Sequence, residues 1–363
     1  MPELVTFGEI MGRLTAPGRK RFPQAMPGSL DVSFAGAEAN VAVSYAWFGG
    51  KAAFVSALPD HAVGDAVVQC LRSYHVDTSG IVRTAEGRLG LYFVETGANQ
   101  RPGRVIYDRA HSSFATLPAE AYNFDKAFQS AGAFHFTGIT PALSATAAEA
   151  CRAAVDTARK KGLSISCDLN FRKKLWQWDA RRKPAALAGE TMRGLMPFVD
   201  ILIANESDIE DVLGIRAGKT DTEKGSLDIS AYPDVAGKVA EAFPNLKRIA
   251  ITLRESVSAS HNNWGAMLMD TETGNAFFAP VVNGHYAPYE IRAIVDRVGA
   301  GDSFAGALLY ALHEAFPEDL EAAVGFAAAA SCLAHSIEGD FNLNTFEEVE
   351  LLRKGNASGR VQR

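Results

Sequence analysis

The strongest constraint on this chain is a rhythm. Short apolar and β-branched runs at residues 5–7, 53–58, 134–136, 163–167, 201–203 and 249–251 recur between longer segments with helical spacing. Runs that are apolar at every position predict strands buried on both faces. The segments between them, at 38–48, 64–74, 145–161, 182–196 and 235–243, predict helices. Strand, helix, strand in repetition is satisfied by a mostly parallel sheet covered on both sides, an α/β fold. The 363 residues allow two domains or one larger α/β unit.

Two segments depart from the rhythm. Residues 11–34 are rich in Pro, Gly and Arg, and residues 88–114 alternate like a half-exposed antiparallel hairpin with a turn near 97–103. Extra strands set beside the early loops of an α/β core predict a lid over a ligand, a dimer surface, or a hairpin with no role. Further on, strands are expected at 266–269 and 277–278, followed by one long Ala-rich helical stretch from 301 to 335.

Charge narrows the function classes. The chain carries 42 Asp and Glu against 36 Lys and Arg, a net charge of −6, and its longest basic tract is Arg181-Arg182-Lys183. Nucleic-acid binding needs clustered cations to displace counterions, so it is excluded. No apolar run has the length of a membrane span, and the start MPELVTFGEI carries no signal-peptide pattern, so a cytoplasmic protein is expected. Cys70, Cys151, Cys167 and Cys332 are widely spaced within apolar runs and are expected as buried thiols. The eight histidines show no metal-ligand spacing.

One motif can carry chemistry. Asp296-Arg297-Val298-Gly299-Ala300-Gly301-Asp302-Ser303-Phe304 lies between an apolar run and a helix start. Its glycines permit a tight turn that exposes backbone amides, and the helix dipole adds to their pull on an anion. Asp302 cannot be that anion. Beside a transferring phosphoryl group it would accept a proton from an attacking hydroxyl; on the plainer reading it only caps the helix. A second cluster, Phe34-Ala35-Gly36-Ala37-Glu38-Ala39-Asn40, also opens a helix, with small residues that admit a ligand and an Asn side chain that can both donate and accept. Two phosphate-loop patterns fail. Gly214 to Thr220 is one residue short of a Walker A loop and follows a helix, and no GxGxxG follows the first strand.

The pair of helix-start motifs resembles the ribokinase-like (PfkB-type) carbohydrate kinases. Asp60-His61-Ala62-Val63-Gly64-Asp65, Val76-Asp77-Thr78 and Asn205-Glu206 follow in the family's order, so the resemblance spans residues 4–340. It implies a three-layer ribokinase-like domain over 1–340, with lid strands inserted at about 11–34 and 88–114, and a C-terminal helix and tail over 341–363. Within the family, Phe136-Thr137-Gly138-Ile139-Thr140-Pro141-Ala142-Leu143-Ser144, Asp168-Leu169-Asn170-Phe171-Arg172, Leu175-Trp176 and Tyr107-Asp108-Arg109 are similar to the 2-keto-3-deoxygluconate kinases. A sugar acid would need a cation for its carboxylate, and Arg172 and Arg109 can offer bidentate hydrogen bonds.

The resemblance implies a catalytic base at Asp302 and an anion hole at the amides of Gly299, Ala300 and Gly301. It implies sugar-acid contacts from Gly36, Asn40, Tyr92, Tyr107, Arg109, Ile139, Arg172 and Asp340. On the ATP side it implies Asn205, Thr252 and Arg254, with Gly299 and Gly301, and magnesium held through water by Glu206 or Asp208. Arg297 stands where the family signature has Thr or Ser, which leaves a monovalent cation site open. The expected partners are ATP, a small sugar acid and a second copy of the chain docked through the lid. A kinase for a neutral sugar such as fructose or ribose, or for another keto-deoxy sugar acid, and a sugar-binding relative without turnover are the competing readings.

Overall fold

The computed structural model of the protein describes residues 3–216 and 229–356. Its core is a ten-stranded sheet built on β1 (Glu3–Phe7), β4 (Ala52–Pro59), β5 (Ile81–Thr84), β8 (Ala131–Thr137), β9 (Ser164–Asp168), β10 (Ile201–Asn205), β11 (Arg248–Ser258), β12 (His261–Asp270) and β13 (Ala276–Ala279). The order is β13-β12-β11-β10-β9-β8-β1-β4-β5, with the short strand Tyr289–Ile291 paired to β12. From β5 to β11 every pairing is parallel, and β12 and β13 extend the sheet antiparallel.

Successive residues of one strand point into different cores, which is why these runs are apolar throughout. Leu202 and Ala204 join one buried cluster while Ile201 and Ile203 join the other. The first cluster is covered by α3 (Ala145–Lys160), α4 (Pro184–Leu195) and α5 (Tyr232–Ala242). The second is covered by α1 (Ala37–Trp47), α2 (Ala62–Ser73), α6 (Ala300–Tyr310), α7 (Leu320–Ala334) and α8 (Phe346–Arg353).

The two inserted segments pair with each other. β2 (Met11–Thr15) and β3 (Asp31–Ala35) join β6 (Gly90–Glu95) and β7 (Arg104–Asp108) in a separate four-stranded sheet of order β3-β2-β6-β7. The β6–β7 hairpin is antiparallel, and the β2–β6 contact is parallel.

Two expectations need correction. The stretch 301–335 is not one helix: α6 passes into a wider turn at Ala311–Ala315, the chain breaks at Pro317, and α7 starts afresh. Proline has no N–H to continue the ladder, and the Asp319 side chain accepts from Ala322 N to cap the new helix. Cys70 and Cys332 are only partly buried, unlike Cys151 and Cys167. Gly214, at φ +67°, ends the preceding turn, while the rest of the rejected Walker-like run, from Ala217 to Thr220, lies outside the described residues, as does the tail beyond 356.

Alanine and glycine let the helices over the second core approach closely. A Cβ at Gly306 would stand 2.6 Å from Ser44 Cβ, so α6 lies against α1 at backbone distance. Ser44 and Gly306 are each one turn beyond the positions that meet in the site.

Candidate active site

The turn into α6 is made by Gly299, whose φ of +86° favours glycine and whose added Cβ would stand 2.3 Å from the Asp340 carbonyl. No side chain caps this helix start, so its first amides are free to meet an anion. Asp302 does not cap it either. It sits inside the first turn, where its Oδ2 accepts from Asn40 Nδ2 at 2.6 Å. Asn40 is held in turn, since its Oδ1 accepts from Gly36 N at 3.2 Å. Gly36 is required by close approach, because a Cβ there would lie 2.0 Å from Glu9 O.

These two helix starts form one wall of a cleft of about 340 Å³, and the remaining walls come from the carboxyl ends of β8 to β11 and from the lid. Ligand clefts at the carboxyl ends of parallel strands are the general rule for open α/β sheets. Gly36, Asn40, Tyr92, Tyr107, Arg109, Ile139, Arg172 and Asp340 line it, together with Asn205, Asp208, Thr252, Arg254, Gly299, Ala300, Gly301 and Asp302. Of the positions singled out in the sequence, Glu206 is absent from the lining: its Oε2 accepts from Tyr232 Oη at 2.9 Å. Asn205 instead orients Asp208, accepting from its backbone N at 2.9 Å and donating to its Oδ2 at 2.8 Å.

The two arginines offered to a carboxylate are not equivalent. Arg109 is buried and its Nη2 lies 2.6 Å from Glu9 Oε2, so its charge is already answered inside the protein. Arg172 is exposed at the cleft mouth, donates only to the Phe171 carbonyl, and has no ion-pair partner among the described residues. It is a cation facing acids at a distance.

Those acids are held toward their neutral forms. Burial raises Asp302 from 3.8 to about 7, against the pull of the Asn40 hydrogen bond, and the charge of Asp340 adds to the rise. Burial also pushes Asp208 up to about 6, opposed by Arg172. Asp168, at the end of β9, is raised well above the ordinary carboxylate range by burial and then by Asp208 and Asp302. On β11, desolvation and the charge of Arg172 hold the Arg254 guanidinium below its usual value.

Asp168 and Asn170, which carry no role on the sequence alone, both line the cleft. Their place at the carboxyl end of a parallel strand was the available signal. Glu38 is a second omission. It is buried at the start of α1, where its Oε1 accepts from Thr137 N, Thr137 Oγ1 and Thr140 Oγ1 and so fixes the turn that presents Ile139. Nothing in its sequence context separates it from an ordinary first-turn acid.

Comparison with known proteins agrees with this geometry. The model of the pfkB family carbohydrate kinases matches residues 1–231 and 271–344. A curated relative, 2-dehydro-3-deoxygalactonokinase of Haloferax volcanii, is 34% identical over 359 residues, covering 98% of each chain. Fructokinase-2 of Solanum lycopersicum is 27% identical over 363 residues, covering 97% of this chain and 92% of its own. The crystal structure of 2-dehydro-3-deoxygluconokinase from Thermotoga maritima superposes with a TM-score of 0.88 at 44% identity, covering 98% of this chain and 100% of that one. With the family model spanning most of the chain and the paired helix starts meeting in one cleft, the protein is a member of the PfkB family of carbohydrate kinases.

Proposed function

We propose that the protein phosphorylates 2-keto-3-deoxygluconate at its terminal hydroxyl, with ATP as donor, giving the 6-phosphate and ADP. The observation that carries this reading is Arg172, a cation with no ion-pair partner among the described residues, at the mouth of the cleft that also holds Asp302. A sugar acid brings a carboxylate that a neutral hexose lacks, and a free guanidinium can bind it bidentately.

The residues then divide the work. Asp302, aligned by Asn40, accepts the proton of the primary hydroxyl as its oxygen bonds to the γ-phosphorus and the bond to ADP breaks. The amides of Gly299, Ala300 and Gly301 meet the charge on the phosphoryl oxygens. Tyr92, Tyr107 and Ile139 shape the sugar side, while Thr252 and Arg254 stand on the strand that faces the phosphates. Magnesium, when bound, neutralises charge between the phosphates. Asp208 with Asn205 fits it, as one buried cleft carboxylate with an oriented amide suits an ion that keeps several of its waters. A monovalent cation is left out of this reading, because Arg297 Nη2 already donates to Ser258 O and Asn262 Oδ1.

The outer face of the lid supports a homodimer. Val32, Leu14, Phe93 and Ile106 form a row across all four strands on the face turned away from Tyr92 and Tyr107, and Val32 and Ile106 are exposed. An apolar row of this kind fits a second copy of the chain. Among the described residues no helix is long and apolar enough to cross a membrane, and we place the enzyme in the cytoplasm on its use of ATP.

A panel of 2-keto-3-deoxygluconate, 2-keto-3-deoxygalactonate, fructose and ribose in one ADP-release assay tests the substrate. The highest kcat/KM is expected for 2-keto-3-deoxygluconate; preference for fructose or ribose would sink the carboxylate argument, and preference for the galactonate would correct the epimer.

A further inference from the structure

Arg13 lies on the lid strand β2, is 2% exposed, and is absent from the walls of the catalytic cleft. A buried arginine outside that cleft needs partners to offset its desolvation. Its guanidinium is used on three sides: Nε donates to Thr15 Oγ1 at 3.0 Å, Nη1 pairs with Asp340 Oδ1, and Nη2 pairs with Asp296 Oδ2. The two acids flank the phosphoryl-binding turn. Asp296 opens it, and its Oδ1 accepts from Val298 N at 3.1 Å. Asp340 packs its backbone onto Gly299 and receives Tyr92 Oη on Oδ2 at 2.9 Å. Gly339 N completes the node by donating to Asp296 Oδ2 at 3.3 Å.

We propose that Arg13 is a positioning residue for phosphoryl transfer: by clamping Asp296 and Asp340 together from the lid, it sets the Gly299–Gly301 amides and ties their geometry to the seating of the lid. Two features of the fold point this way. The clamp joins segments 283 and 327 positions from Arg13, and both end on the same three-residue turn. The lid is also seated on the body at its tip, where Ala259 N donates to Asn99 O at 2.7 Å and Asn99 N to Ser260 Oγ at 3.0 Å, so Arg13 acts in a lid already docked. One guanidinium serves both acids because its nitrogens are fixed in a planar fork, which a lysine ammonium does not reproduce.

This inference rests on the kinase reading, so its test runs with whichever sugar the panel shows to be turned over best, beside Asp302→Asn as a control for that reading. Arg13→Lys and Arg13→Met are assayed well below their unfolding midpoints, with ATP affinity measured separately by calorimetry. Arg13→Met is expected to lower kcat by about 10²-fold while ATP affinity stays within about threefold, because misplacement of a preorganised group costs rate before it costs remote binding. Arg13→Lys, which keeps the charge and protects the fold, is expected to lose about 10-fold. A lowered unfolding midpoint with kcat of the folded enzyme unchanged in both variants would show that Arg13 only holds the lid in place and would overturn the proposal. Should Arg13→Met not fold, Arg13→Lys decides alone, and a wild-type kcat there overturns it. Full turnover by Asp302→Asn would instead overturn the kinase mechanism itself.

Discussion

Asn40 and Asp302 stand 262 positions apart in the chain and 2.6 Å apart in the fold, the amide of one donating to the carboxylate of the other. Each sits in the first turn of its helix, and the contact repeats one turn on, where Gly306 admits Ser44. Two motifs that are weak when read singly thus become one hydrogen-bonded pair in the cleft. The contact fixes Asp302 through one carboxylate oxygen, Oδ2.

A base must be ionised to work, and Asp302 is raised to about 7. The rate is therefore expected to climb with pH through about 7 and to fall below it. Asp302→Asn should lower kcat by about 10²- to 10⁴-fold across the range. Stability should move the other way. A folded pKa above the ordinary 3.8 contributes stability that is present below 3.8 and lost as pH rises through about 7, so at pH above 7 the variant should melt higher than the wild type. Thermal unfolding of both proteins on either side of that window checks the sign; equal midpoints at high pH would refute a strained Asp302.

Arg172→Leu removes a cation that has no ion-pair partner among the described residues, although its charge pulls against the raised Asp208. Its KM for the sugar acid should rise by about 10- to 100-fold, as charged hydrogen bonds contribute about 1.5–3 kcal/mol, with folding unaffected. Steady-state kinetics on the acid and on fructose separate the effects, and an equal loss on both would show that Arg172 does not read the carboxylate.

Magnesium dependence should distinguish two neighbouring acids. Asp208→Asn, inside the cleft, is expected to raise the magnesium concentration needed for half-maximal rate by about 10-fold or more. Glu206→Gln, turned toward Tyr232, should leave it close to wild type. The reverse ranking in a magnesium titration would reassign the site.

Exchange of potassium for choline in the assay is expected to leave kcat unchanged, because Arg297 supplies a fixed cation to Ser258 O and Asn262 Oδ1. Activation by potassium would contradict this.

Light scattering is expected to give twice the 38.9 kDa chain mass for the wild type and a single chain mass for Val32→Glu, which places a charge in the apolar row of the lid. A monomeric wild type would refute the lid dimer.

Much of the fold was legible because its causes are local. Runs such as Ile201–Ile203 are apolar at each position since the two cores take alternate side chains, and that pattern is written residue by residue. The break at Pro317 is equally local, but the alanines on either side mask it. In the cleft, the glycines at 36 and 299 announced themselves because a close backbone approach admits no other residue.

The rest depends on distance in sequence. Arg109 and Arg172 look alike in the chain, and only Glu9, brought against Arg109 by the lid, makes one spent and the other free. Glu206 and Asp208 are two positions apart, and a single helical turn sends them to different sides. Arg13 carries no local sign of its two partners. The sequence by itself determined the layered sheet, the two helix-start motifs and the class of chemistry, since burial periodicity and backbone freedom act over a few residues. Which charges are answered and which remain available was decided by tertiary structure alone, because the energy of a charge depends on what lies within a few ångströms of it in space.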